Sequence, residues 1–343
     1  MADYTKVEQI FHRLILGSSI IQKVSFNFEK EKYLPFCKTE LDNPVFILGL
    51  PRSGTTTLLR LLYSSGAYNS ITYRDMPFVL MPRLWHKMTK NFHTHMKSVE
   101  RSHSDSILID YDSPESFESI FWNCFDPSSH HSAHFIQQYE PSLDVIQEFK
   151  NHIALTAHKT EEPKRYISKN NNNLIRLESL SQFFPEGRFI LLWRNPLQTA
   201  YSSYKQHRLF SKLQAKKPFV LTYMNLLSHY EFGLNHKPFI FKQSNINGYL
   251  ENDPNYWLAY WIDIHQSLLN CRFESNVIFV SYESLCEHPE KNLINLFEKI
   301  NLQYSKEYEK QLRLSKSYDL PNFDPLLIKL AYDTSSVLRL KSL

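Results

Sequence analysis

The chain has 343 residues, 42% of them hydrophobic and 14% aromatic, with a formal net charge of +4. That is apolar material for a substantial core, in one large α/β domain or two smaller ones, and the small positive balance demands neither nucleic acid nor a membrane. No stretch approaches the ~18 apolar residues of a membrane span, and the four scattered cysteines, Cys37, Cys124, Cys271 and Cys286, lack metal-type spacing. A reducing compartment is the simpler reading. The polar start, Met1-Ala2-Asp3-Tyr4, shows no secretory leader. A soluble, cytoplasmic protein is expected, although a truncated piece of an anchored one would read the same.

Residues 1–43 read as an N-terminal helical segment, with Val7, Ile10, Phe11, Leu14 and Ile15 on one face. Val45-Phe46-Ile47-Leu48 is an apolar strand, Gly49-Leu50-Pro51-Arg52-Ser53-Gly54 a tight loop, and Thr55 to Leu62 an amphipathic helix. The chain holds only seven glycines, and two of them flank this loop. Glycine lets a backbone approach a bound group closely. A helix start turns its N–H groups and positive end toward one point, where an anion is stabilised. The Gly49–Gly54 spacing matches the opening of a Walker A loop, but Thr55 stands at the lysine position and the cation lies inside the loop, at Arg52. A kinase uses that lysine and magnesium to manage a phosphoryl group; a sulfuryl group carries less charge, and amides, hydroxyls and one or two cations suffice for it.

Residues 76–160 contain few strand-like runs and read as a helical insertion. Arg165-Tyr166-Ile167-Ser168-Lys169 is a short strand ending in lysine, and Gly187 to Trp193 a buried strand running into Arg194. Pro196 suits the first turn of the following helix, which carries Ser202 eight residues beyond Arg194. An arginine at the carboxyl end of a strand in an open α/β sheet lies where ligands bind. Residues 209–255 read as irregular or helical, a lid. Tyr256 to Leu269 is a helix with Trp257, Tyr260, Trp261 and Ile264 as its core stripe. Asn276 to Ser281 is a strand, Tyr282 opens a helix, and residues 301–343 are a helical tail.

The stretch Pro51-Arg52-Ser53-Gly54-Thr55-Thr56 resembles the 5′-phosphosulfate loop of the sulfotransferases that use 3′-phosphoadenosine 5′-phosphosulfate. Arg194 and Ser202 resemble the arginine and serine with which that family holds the 3′-phosphate. The resemblance spans residues 44–70, 165–208 and 256–300 and comes nearest, in pattern, to the tyrosylprotein and bacterial branch. It implies a P-loop-type α/β fold: a central, mostly parallel sheet flanked by helices, formed by residues 44–75 and 161–300, with the 76–160 insertion binding the acceptor. It implies sulfuryl transfer to a hydroxyl of a carbohydrate, lipid, small molecule or peptide. Arg52, Ser53, Gly54, Thr55, Thr56, Thr57, Arg194, Ser202 and Tyr282 are the implied cofactor-binding residues. Lys169, with Arg52, is implied to offset developing charge, and Asn171 stands where small-molecule sulfotransferases have their catalytic histidine. Two rivals stay open: a P-loop kinase or nucleotidase, and a non-catalytic nucleotide-binding protein of the same fold.

Transfer to a hydroxyl needs a group to take the proton. Asp75, after the first helix and beside Arg74, is the first candidate. His103, with Asp105 to orient it, is the second. Glu115 and Glu118 rank lower, because Ser113 as cap, Pro114 at the first position and Glu115 in the first turn already make an ordinary helix start. His130, His131 and His134 invite a metal reading, but no carboxylate or thiol completes a set, and none is assigned.

Overall fold

The computed structural model describes residues 5–38, 42–89, 108–127, 131–242, 248–314 and 317–343, and the backbone of 99–100. Helices α1 (Lys6–Leu16) and α2 (Ser19–Tyr33) precede strand β1 (Val45–Leu48), helix α3 (Thr55–Tyr63) and strand β2 (Tyr68–Asn69). Then come α4 (Pro82–Thr89), a ribbon of β3 (Val99–Glu100) and β4 (Leu108–Ile109), α5 (Ser119–Phe125), β5 (Ile136–Gln137) and α6 (Leu143–Ala157). The second half runs β6 (Arg165–Lys169), α7 (Leu177–Phe183), β7 (Arg188–Trp193), α8 (Pro196–Lys216), α9 (Pro218–Leu226), β8 (Phe239–Ile240) and α10 (Pro254–Asn270). It closes with β9 (Val277–Ser281), α11 (Tyr282–Glu287), α12 (Pro289–Lys299) and α13 (Pro325–Lys341).

Five strands form one parallel sheet in the order β2-β6-β1-β7-β9. The apolar runs are strands buried on both faces, as a parallel sheet requires. Alternate residues divide between two cores: Phe46, Leu48, Phe189 and Leu191 face one side, and Val45, Ile47, Ile190 and Leu192 the other. On the second side α3 and α12 supply Leu58, Leu62, Leu293 and Phe297. On the first, α6 brings Phe149 within 6.2 Å of the Phe46 ring, and Phe46 stacks on Phe189 at 4.7 Å. The expected stripe of α10 is buried throughout.

The described residues add detail to three expectations. The face of α1 that carries Val7, Ile10, Phe11 and Leu14 points to solvent, and only Ile15 of that set is buried. Within the expected insertion, α5 and α6 cover the sheet itself, since Phe121, Trp122 and Phe149 belong to its core. The described residues 209–242 are largely helical, and part of them lines the cavity described below. Helix α8 runs on to Lys216, α9 follows, and β8 pairs in parallel with β5.

Candidate active site

Strands β1 and β7 are hydrogen-bonded neighbours running in the same direction, so their carboxyl ends lie side by side. This brings the glycine loop and the Arg194 segment together. The Arg52 Nε donates to Ser202 Oγ at 3.0 Å, and an Arg194 terminal nitrogen donates to the Arg52 carbonyl at 3.4 Å. Glu283 steadies the arrangement from β9's end. One of its oxygens accepts from the Asn195 N–H at 3.0 Å and lies 3.6 Å from Arg194 Nε. Burial pulls Arg194 below the ordinary arginine value, and the Glu283 carboxylate opposes that pull.

The loop backbone is tightly determined. A Cβ on Gly49 would fall 2.2 Å from the Leu192 carbonyl oxygen, so only glycine fits against β7. Gly54 has φ 91° and lies under the Tyr282 ring, where a Cβ would come within 2.3 Å of a ring carbon. Arg52 itself sits at φ 75°, a left-handed conformation that side chains other than glycine rarely take. Thr55 and Thr56 open α3 and are buried, and Ser53 is fully buried with no hydrogen-bond partner for its hydroxyl. A buried orphan hydroxyl beside a helix start and two arginines suits an anion. Tyr282 donates its hydroxyl to the Arg313 carbonyl at 2.9 Å, and burial pushes its phenol up to about 12, against a bond from Thr57. Its evident work is to hold the loop.

A cavity of about 960 Å³, open mouth included, borders this loop. Arg52, Thr55, Thr56 and Lys169 are its cationic and hydroxyl lining. Glu115 lies beside Lys169, their charged atoms 3.8 Å apart, and each side chain is 9% exposed. Phe117, Phe210, Tyr223, Met224, Leu227 and Phe232 give the rest an apolar lining, interrupted by Asn171, His229 and Glu231.

The proton-acceptor candidates separate clearly. Asp75 is fully buried and does not line the cavity. Its Oδ2 accepts from the Thr72 N–H and from the Lys159 ammonium, both at 2.7 Å. Arg74 pairs twice with Asp112, at 2.7 and 2.9 Å. The sequence places Asp75 plausibly after α3, but the turn it caps carries it inward, and this argues against it as base. Glu118 is taken by structure: its carboxylate accepts from Ser168 Oγ, Asn173 Nδ2, Trp122 Nε1 and Asn170 Nδ2 at 2.5 to 3.2 Å. His103 and Asp105 lie outside the described residues, as does His130. His131 is half-buried, with its imidazole pushed down to about 4 by desolvation, and His134 is exposed. Among the described residues no group of three metal-ligating side chains occurs.

Sequence reasoning missed Tyr318, which no motif announces. Burial raises its phenol, but a bond to Ser202 and the charges of Arg52, Lys205 and Arg194 together hold it below the usual tyrosine value. Lys205 sits over its ring at 4.4 Å. Tyr318 and Lys205 thus extend the Arg52–Arg194–Ser202 cluster.

Comparison with known proteins agrees with this geometry. The sulfotransferase family matches residues 44–236, more than half of the chain. No curated protein sequence matches. Among solved structures, the fold is similar to sulfotransferase STF9 from Mycobacterium avium, with a TM-score of 0.53 at 12% identity over 99% of this chain and 87% of that one. It is also similar to sulfotransferase STF1 from Mycobacterium tuberculosis, with a TM-score of 0.52 at 14% identity over 88% and 79%. Loop, strand-end arginine and fold converge on one conclusion: the chain belongs to the sulfotransferase family, enzymes that move a sulfuryl group to an acceptor.

Proposed function

We propose that the donor is 3′-phosphoadenosine 5′-phosphosulfate and that the cavity beside Lys169 receives a hydroxyl-bearing acceptor. The observation that carries this is the convergence of Arg52, after β1, with Arg194, after β7, and Ser202, on the following α8, although Arg52 is more than 140 residues from both. When bound, the donor supplies the sulfuryl group and leaves as 3′-phosphoadenosine 5′-phosphate. The residues Arg52 to Thr57 hold the phosphosulfate with backbone N–H groups, hydroxyls and the Arg52 guanidinium. Arg194 and Ser202, joined by Tyr318 and Lys205, bind the 3′-phosphate. Arg52 and Lys169 keep positive charge where the bridging oxygen becomes negative. Glu115 takes the acceptor's proton as the hydroxyl oxygen bonds to sulfur. It is the carboxylate that faces the cavity beside Lys169, and it replaces Asp75 in that role.

Calorimetric titration with 3′-phosphoadenosine 5′-phosphate tests the reading. Arg194→Ala is expected to weaken binding by about 2 kcal/mol, the worth of a charge-assisted hydrogen bond, and the nucleotide lacking its 3′-phosphate should lose as much. Equal affinity for both nucleotides would remove the proposal.

A further inference from the structure

The catalytic account leaves one charged group of the cavity without work. Glu231 follows α9 and lines the cavity, and it also borders a smaller hollow with Leu50 and Pro51 of the glycine loop and with Lys237, whose ammonium is turned to the Ser132 carbonyl and the Tyr230 ring. Its Oε1 accepts from the Asn171 amide at 3.3 Å, a neutral donor. Among the described residues no lysine or arginine closes an ion pair with it. The cations of the cavity, Arg52 and Lys169, have Ser202 and Glu115 beside them and a donor anion to hold.

Around Glu231 the lining is aromatic and aliphatic. Phe117, Phe210, Tyr223 and Phe232 are buried cavity residues, and Phe232 adjoins Glu231 in sequence. An acceptor with an apolar body fills such a space by displacing its water. That strips the solvent from the Glu231 carboxylate, and a desolvated carboxylate with only one neutral donor is costly. The cost vanishes if the acceptor brings its own positive charge. Aromatic faces are attracted to the same kind of group, since an ammonium interacts favourably with the π-cloud. A carboxylate among aromatic rings is therefore an ammonium site.

The placement also sets a scale. Glu115 is tied to Lys169 and Glu231 to Asn171, two residues further along the chain, so both carboxylates meet the cavity near the end of β6. The hydroxyl end and the ammonium end of the acceptor are thus joined by a short apolar spacer. We propose that Glu231 is a specificity-determining residue and that the acceptor is a hydroxylated amine, a phenolic amine or short amino alcohol whose protonated nitrogen pairs with it. This rests on the cavity's being the acceptor site.

Three phenols of similar length test it: tyramine, which is cationic, 4-propylphenol, which is neutral, and 3-(4-hydroxyphenyl)propanoate, which is anionic. Each is titrated calorimetrically into the protein, with and without 3′-phosphoadenosine 5′-phosphate. The nucleotide's own titration is run first on the same sample, so failure of the donor reading shows up separately. Tyramine is expected to bind at least about tenfold tighter than 4-propylphenol. Glu231→Gln, which keeps the bond from Asn171, should bring the two within about twofold. Glu231→Lys should shift the preference to the propanoate. No binding of tyramine, equal binding of tyramine and 4-propylphenol, or a preference that survives Glu231→Gln would each overturn the proposal.

Discussion

At the scale of single residues, two carboxylates that look alike in sequence have opposite work. Glu115 opens into the cavity within reach of Lys169, whereas Asp75 is fully buried against Lys159. Glu115→Gln is expected to lower kcat roughly 10²- to 10⁴-fold, the usual contribution of a general base, with nucleotide affinity unchanged by calorimetry. Asp75→Asn should leave the Lys159 ammonium buried and unpaired. Its effect is on stability, about 3–5 kcal/mol in denaturant unfolding, while the variant that remains folded keeps most of its kcat. Loss of activity from a fully folded Asp75→Asn would restore Asp75 as the base. The sequence ranked Asp75 above Glu115 because Ser113, Pro114 and Glu115 read as a helix start; no helix opens there, since Pro114 bridges to Thr72 and α5 begins at Ser119, while a short turn carries Asp75 inward. Thr72 and Asp75 cap each other's ends of that turn, and no spacing rule encodes where the capped turn then sits.

At the scale of elements, the strands were the most legible part. A run such as Phe189-Ile190-Leu191-Leu192-Trp193 is apolar on both faces and has one sensible place, the middle of a parallel sheet. The N-terminal helices were harder. Their apolar periodicity located the helix α1 and left open the direction it faces, because a hydrophobic stripe says only that one side differs from the other. Helix α2 is anchored instead by a charged residue. The Glu29 carboxylate accepts from the backbone N–H groups of Arg83 at 2.6 Å and Leu84 at 3.1 Å, at the start of α4. Burial pushes this carboxyl up to about 7, against the pull of those two bonds. The folded value lies above the ordinary 4.5, so the fold favours the protonated form. The associated stability is complete below about pH 4.5 and is lost as pH rises through 7. The wild type should therefore lose on the order of 2 kcal/mol between pH 5 and 8 from this group, and Glu29→Gln should flatten that part of the Tm profile. An unchanged profile in the variant would show that Glu29 stays ionised throughout.

At the scale of the whole molecule, the sheet order does what the linear sequence only implies. By setting β1 between β6 and β7, it gathers Arg52, Lys169 and Arg194 at one edge. The loop and the strand-end cations were legible because their chemistry is local: a glycine bend before a helix, and an arginine after an apolar strand. The cavity was not, since Glu115, Tyr223 and Glu231 reach it from three segments that share no motif. Tyr318 likewise arrives from the C-terminal tail. The left-handed backbone at Arg52 has a further consequence, which concerns how the enzyme withstands heat. A side chain in that conformation costs about 1–2 kcal/mol that glycine would not incur. Arg52→Ala and Arg52→Gly both remove the guanidinium, yet only glycine relaxes the backbone, so the glycine variant should melt higher than the alanine variant although neither binds the nucleotide well. The loop would then be a place where thermal robustness has been given up to keep a cation aimed at an anion, and a selection for heat resistance alone would be expected to discard this arginine first.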